Sequence, residues 1–395
     1  MNRFTTATAI VLAAIGITGI GRAAEPISQP DIIVLLVDEL GPNWIGPLAR
    51  IVNVTTPNID ALASAGVVYT SGYGAPVCVQ ARNMLMQGKW QYRRSSGAMN
   101  GNQPYPPTTI TTVAERLRPL GYATYAIGKW HLGWTAGQQP LGQGFDHFLG
   151  WAAEPNSPLY YGHDPAEPMF RDRTPAQNIG YVTDTIGNEA VKILRQPRTK
   201  PRFLYVAWTA MHYPLQDSLA AVLKKLDTNI GKIVAAANPN TLFLLAGDNG
   251  VGPTPPFVGL KYDIAEGGIR VKFQMTWKGH VLPAITDVPA SLGDFSPTIV
   301  AAAGGVQTDT DFVNLLKPVS DNRTIFFDAL YDDPGIGVRQ GTWKYYRNYK
   351  GIPRALYNIR TDKGEAHNLA GDPAQAATVA RLNVLLDQFK AKLAD

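Results

Sequence analysis

The chain has 395 residues, 45% of them apolar, with a formal net charge of +5 and a single cysteine. That composition supports a large packed core and excludes an intrinsically disordered chain. No block of Lys and Arg is dense enough for a nucleic-acid tract, and one thiol cannot form an internal disulfide.

The chain opens on "MNRFTTATAIVLAAIGITGIGRAAEP", with Arg3, an apolar run from Ala7 to Ile20, and the small residues Ala23 and Ala24. This pattern predicts a secretory signal peptide over residues 1–23, with a signal anchor as the alternative, and an exported protein, periplasmic or secreted. No later stretch reaches the roughly 18 uninterrupted apolar residues of a membrane span, so no stable membrane partner is expected. Four apolar runs then predict buried parallel strands: Asp31–Val37, Tyr122–Ile127, Arg202–Trp208 and Thr241–Ala246. Helical segments lie between them. "TTPNIDALASAG" offers Thr56 as N-cap, Pro57 at the first helical position and Gly66 as a stop. "TTVAERLRPLG" stops at Pro119 and Gly121, and "SLAAVLKKLDTNIGKIVAA" gathers Leu219, Val222, Leu223, Leu226, Ile230 and Ile233 on one face. Strands alternating with helices predict an α/β fold with a mostly parallel sheet.

Each predicted strand is followed by polar residues: Asp38 and Glu39, then Lys129 and His131 in "GKWH", His212 in "TAMH", and Asp248 and Asn249 in "GDNG". Open α/β sheets bind ligands at the carboxyl ends of their strands. Asp38, Glu39, Asp248 and Asn249 are hard oxygen donors, suited to Ca²⁺ or Mg²⁺. Lys129, His131, His212 and Lys261 are cations or proton carriers, suited to a tetrahedral oxyanion and its leaving group. A metal beside several cations implies an anion between them, which points to an enzyme acting on sulfate or phosphate esters. The single cysteine begins "CVQARNMLMQGK", where Ala81, Met84 and Leu85 predict a short buried helix ended by Gly88. Cys78 would then lie at the helix N-terminus, which favours negative charge, with Arg82 one turn later.

The later chain changes texture. "SLGDFSPTIVAAAGG" predicts a helix closing the large domain. "RTIFFDALYD", "GVRQGTWKYYRNY" and "RALYNIR" read as short strands, and a helix from about Pro373 carries Ala380, Leu382, Leu385, Leu386, Phe389 and Leu393 near one face. These predict a catalytic domain over residues 24–310 and a small antiparallel sheet with one helix over 311–395.

Taken together, "LLVDELG", "CVQARNMLMQGK", "GKWHLG", "MHYP", "GDNG" and "GLKYDIAEGGIR", in that order, resemble the type I sulfatases of the alkaline phosphatase superfamily. The likeness runs from Ile32 to the C-terminal helix. It implies a large mixed sheet sandwiched by helices, and hydrolysis of a small-molecule or glycan sulfate ester. It further implies that a formylglycine-generating enzyme oxidises Cys78 to formylglycine, whose hydrate is the nucleophile. Asp38, Glu39, Asp248, Asn249 and the residue formed from Cys78 would hold Ca²⁺, or Mg²⁺ in its place. Arg82 and Lys129 would brace the hydrate, His131 would take its proton, and His212 and Lys261 would hold the ester and protonate the leaving alcohol.

The chain departs from the family pattern at Gln80, where proline is usual, at Ala81 for the frequent serine, at Glu39 for the second aspartate, and at Lys272 for a frequent proline. The stretch Pro214–Leu219 is short, which predicts an open pocket for bulky substrates. The aromatic-rich Gly150–Phe170, with His163 and Asp164, reads as a pocket wall. Three other readings remain: a phosphodiesterase or phosphonate monoester hydrolase of the same superfamily, an unmatured pseudoenzyme binding sulfated ligands, and direct attack by a Cys78 thiolate on phosphoesters.

Overall fold

A computed structural model describes residues 28–43, 54–90, 109–133, 135–151, 169–176, 180–212, 217–252, 254–329 and 335–393. The segment expected to be a signal peptide, most of Gly150–Phe170 and residues 213–216 lie outside the described residues.

The strand Asp31–Val37 is fully buried because its aliphatic residues serve both faces of the sheet. Ile32, Val34 and Leu36 pack on one side with the helices Cys78–Gln87, Val113–Leu117 and Phe295–Ala302. Ile33, Leu35 and Val37 pack on the other with Pro57–Ser64, Val182–Leu194 and Leu219–Ala236. The alternation is the period-two geometry of a strand.

Among the described residues, ten strands form this sheet. Thr241–Gly247, Asp31–Val37, Arg202–Trp208, Ala123–Lys129 and His147–Trp151 run parallel, side by side in that order. Phe273–Trp277 pairs antiparallel with Thr241–Gly247 and continues to Val67–Tyr69 and Ala284–Thr286 at one edge. Met169–Arg171 and Thr174–Ala176 close the other edge. The large mixed sheet between helices is therefore as expected.

The second predicted strand runs two residues further than its apolar stretch, so Lys129 is its last residue rather than a loop residue. Thr56 sits at the N-cap, but its side chain donates to Asp60 Oδ1 at 3.2 Å and caps no backbone N–H. Capping boxes form at Thr112 with Glu115 and at Ser291 with Asp294. The helix Cys78–Gln87 is buried on every side, not on one face alone.

Thr324–Ala329, Gly335–Gln340, Trp343–Asn348 and Pro353–Asn358 form a four-stranded antiparallel sheet. The helix Ala376–Leu393 lies on it through Leu382 and Leu386, against Ile336, Val338, Tyr345 and Leu356. Phe389 stacks on Phe326 with ring centroids 4.2 Å apart. Ala380 is exposed, contrary to the expected face, and Val379 packs in its place.

Candidate active site

The carboxyl ends of the four central strands deliver their polar residues to one place. Asp38 follows the first strand, where its N–H still donates to Trp208 O at 3.0 Å. Glu39 then turns through a left-handed backbone, φ 60°, and its N–H donates to Asp248 Oδ1 at 3.1 Å. That turn sends the two acids to different partners. Lys129 Nζ donates to Asp38 Oδ2, whereas Glu39 Oε1 lies 2.5 Å from Lys261 Nζ and 3.3 Å from His212 Nε2.

Cys78 stands at the start of its helix with Sγ 3.3 Å from His131 Nδ1 and 3.5 Å from Lys129 Nζ. Gly88 ends the helix in the left-handed conformation, and its N–H donates to Met84 O. Arg82, one turn on from Cys78, points at the acids. Its Nε and Nη2 donate to Asp248 Oδ2 at 3.0 and 2.8 Å, and Nη2 reaches Asp38 Oδ2 at 3.5 Å. Nη1 donates to Lys129 O at 2.8 Å and to Tyr205 Oη at 3.2 Å. The described contacts thus make Arg82 the support of Asp248, with Lys129 next to Cys78. Lys261 Nζ and His212 Nε2 are 3.0 Å apart.

The electrostatics are those of crowded, buried charge. Burial opposes ionisation of Asp38, but Lys129 and then Arg82 outweigh it and hold the carboxyl far below its usual range. Asp248 is pushed upward by burial and by the charge of Asp38. Burial also raises Glu39, against Lys261, and lowers His131, helped by Lys129 and Arg82, so that its imidazole is neutral. The Cys78 thiol is pushed up by burial despite Lys129.

These residues fit a hard divalent cation. Asp38, Cys78 and Asp248 present atoms within 4.8 Å of one another, as do Asp38, Glu39 and His212. Asp38 Oδ1 and Asn249 Oδ1 are buried with no hydrogen-bond partner among the described residues. Two carboxylates this close favour joint ionisation only beside further positive charge. Asn249 is fixed by donating its N–H to Asp248 Oδ1 at 2.8 Å and its Nδ2–H to Gly250 O at 2.7 Å.

The ten residues expected to hold the metal or act on the ester come together at these strand ends, while His163 and Asp164 lie outside the described residues. Tyr205, which holds Arg82, was missed; the only signal was a hydroxyl inside an otherwise apolar strand. The substitution at position 272 has a local reason. Lys272 N–H donates to Leu40 O at 3.0 Å, a bond that proline cannot make.

A protein-family model described as Sulfatase matches residues 30–306. The chain is similar to N-acetylgalactosamine-6-sulfatase of Mus musculus, 27% identical over 79% of this chain and 67% of that protein. It is similar to arylsulfatase J of Mus musculus, 30% identical over 72% of this chain and 54% of that protein. It therefore spans between about half and two thirds of the length of these relatives. Its fold matches the crystal structure of Ps i-CgsB in complex with k-i-k-neocarrahexaose, with a TM-score of 0.82 and 23% identity over 92% of this chain and 93% of that one. The structure of BT4656 in complex with its substrate D-glucosamine-2-N,6-O-disulfate matches with a TM-score of 0.74 and 17% identity, over 92% of this chain and 98% of that one.

Proposed function

Because the chain belongs to the sulfatase family, whose members hydrolyse sulfate esters, we propose that it does so with a formylglycine made from Cys78. In this reading Asp38, Glu39, Asp248 and Asn249 hold a divalent cation, Ca²⁺ in preference to Mg²⁺. The observation that carries it is the position of Cys78, 3.5 Å from Lys129 and 3.3 Å from His131 beside the Asp38–Asp248 pair. When present, the hydrated aldehyde would supply the attacking hydroxyl, and the cation would offset charge on the sulfuryl oxygens.

The chain's own side chains do the rest. Lys129 Nζ lies between Asp38 and position 78, where sulfuryl oxygens would sit. Arg82 fixes the Asp248 carboxylate by two donors and leaves it turned to the site. A neutral His131 can take a proton at Nδ1. Lys261 and His212, 3.0 Å apart, bind the ester oxygen and pass a proton to the departing alcohol. Glu39 Oε1 contacts both and keeps them together.

The substrate class is a small-molecule or glycan sulfate ester. The N-terminal pattern supports export, and a formylglycine-generating enzyme would oxidise Cys78 before the chain folds. No helix among the described residues is long and apolar enough to cross a membrane. Mass spectrometry of the tryptic peptide Ile51–Arg82, from protein made in its native host, tests the reading. An aldehyde or its hydrate at Cys78 is expected, together with turnover of an aryl sulfate that chelation abolishes. An intact thiol in every preparation would overturn the mechanism and favour a sulfate-binding pseudoenzyme. Faster turnover of phosphodiesters than of sulfates would favour the phosphodiesterase reading.

A further inference from the structure

Among the described residues, five non-glycine positions have a left-handed backbone, and three of them crowd the site: Glu39 at φ 60°, His131 at φ 62° and Tyr262 at φ 86°. The first two carry site chemistry. Tyr262 has no role in the reaction as derived above. A bulky aromatic is a poor occupant of that conformation, which glycine adopts freely, and such strain concentrates at functional sites.

Its surroundings say what the strain is for. The Tyr262 N–H donates to Pro76 O at 3.0 Å, two residues before Cys78. Lys261 Nζ lies 5.7 Å from the centroid of the Tyr262 ring, and the same Nζ contacts His212 Nε2 and Glu39 Oε1. The ring therefore borders the leaving-group side of the centre. It is nonetheless 41% exposed, beside Leu260 at 59% and Val258 at 42%. The segment is tied down rather than loose. Leu260 N–H donates to Asp263 Oδ2 at 2.8 Å, and Gly267 N–H donates to Val258 O at 2.6 Å.

We propose that Tyr262 is a specificity residue: its ring is the platform on which the ring of the substrate alcohol, pyranose or aromatic, stacks while the ester oxygen faces Lys261 and His212. An aromatic ring can stack on it by its face, and a pyranose can lie on it through the C–H groups of one side of its chair. The inference rests on the sulfatase reading for the orientation of the ester. It requires only binding for its test.

The test is calorimetric binding to the Cys78→Ala protein, which cannot turn over, with Tyr262 retained or replaced. Y262G suits the φ of 86° and keeps the fold; Y262F keeps the ring. The probes are 4-nitrophenyl sulfate, a sulfated methyl pyranoside, a linear alkyl sulfate and inorganic sulfate. The affinity for a ring ester relative to inorganic sulfate should fall about tenfold in Y262G and hold in Y262F. The pyranoside and aryl arms then say which ring the platform takes. An unchanged ratio in Y262G, or an equal fall for the linear alkyl sulfate, would overturn the proposal. Turnover by matured protein with Tyr262 intact is measured separately. If the ratio falls while no sulfate ester is hydrolysed, the platform stands and the hydrolytic reading fails.

Discussion

Arg82 shows how much of the site a single residue organises. Its guanidinium has no exposed surface and meets Asp248, Asp38, Tyr205 and the Lys129 carbonyl. Arg82→Ala would leave the Asp248 carboxylate buried without its main partner, a loss of about 3–5 kcal/mol. Arg82→Lys keeps a charge but not the fork that reaches four acceptors, so it should recover only part of that stability. Urea unfolding of the three proteins checks this, and equal midpoints would refute it. Sequence spacing was enough to place Arg82 one helical turn from Cys78. It was not enough to show the target, because Asp248 is 166 positions away and only the fold brings them together. The turn at Glu39 was equally hidden, since nothing in "VDELG" announces a left-handed glutamate that aims its carboxylate at Lys261.

At the scale of elements, strands were legible and connections were not. Asp31–Val37 and Arg202–Trp208 could be bounded from sequence because every residue in them is buried, which a continuous apolar run reports directly. The strand at Ala123–Lys129 ends in a polar residue with a site role, so its hydrophobic pattern stopped short. The short helix Glu266–Ile269 carried a recognisable "EGGIR", but not its purpose. Glu266 is ion-paired with Arg270 and lies 3.0 Å from Lys344 Nζ on the C-terminal sheet. Its N–H donates to Glu365 Oε2 at 2.7 Å, and Tyr73 Oη donates to its carboxylate at 3.1 Å. Burial would raise the Glu266 carboxyl, but Arg270 and Lys344 outweigh it and draw it from 4.5 to about 2. A carboxyl lowered on folding stabilises the protein above its unfolded value and ceases to as the pH falls through its folded value. The expected result is a loss of stability as the pH falls from about 4.5 to about 2. Glu266→Gln should be less stable at pH 7 and flatter across that window. Chemical denaturation at stepped pH measures both, and parallel curves for the two proteins would remove Glu266 as the cause.

For the whole molecule, the same contacts bear on whether the division near residue 310 separates two independent units. Composition marks that position because strand texture changes from continuous to alternating, a local signal that carries nothing about what the two parts share. In the folded chain Ile325, Phe327, Ala329 and Phe389 are buried in one cluster with Ile32, Tyr73 and Trp90. Tyr73 and Phe327 have ring centroids 5.2 Å apart, and Arg339 Nη1 donates to Tyr73 Oη at 2.7 Å. A chain ending at residue 310 would expose that apolar surface and leave Glu266 without Lys344 and Glu365. Tyr73 lies five positions before Cys78, so the damage would reach the helix that begins at Cys78. We expect residues 24–310 alone to lack a cooperative thermal transition, and the whole chain to unfold in a single calorimetric step. A shortened protein that melts cooperatively and still binds the cation would show that the C-terminal sheet is an appendage; a single step in the whole chain alone would make it a wall of the same core that supports Cys78.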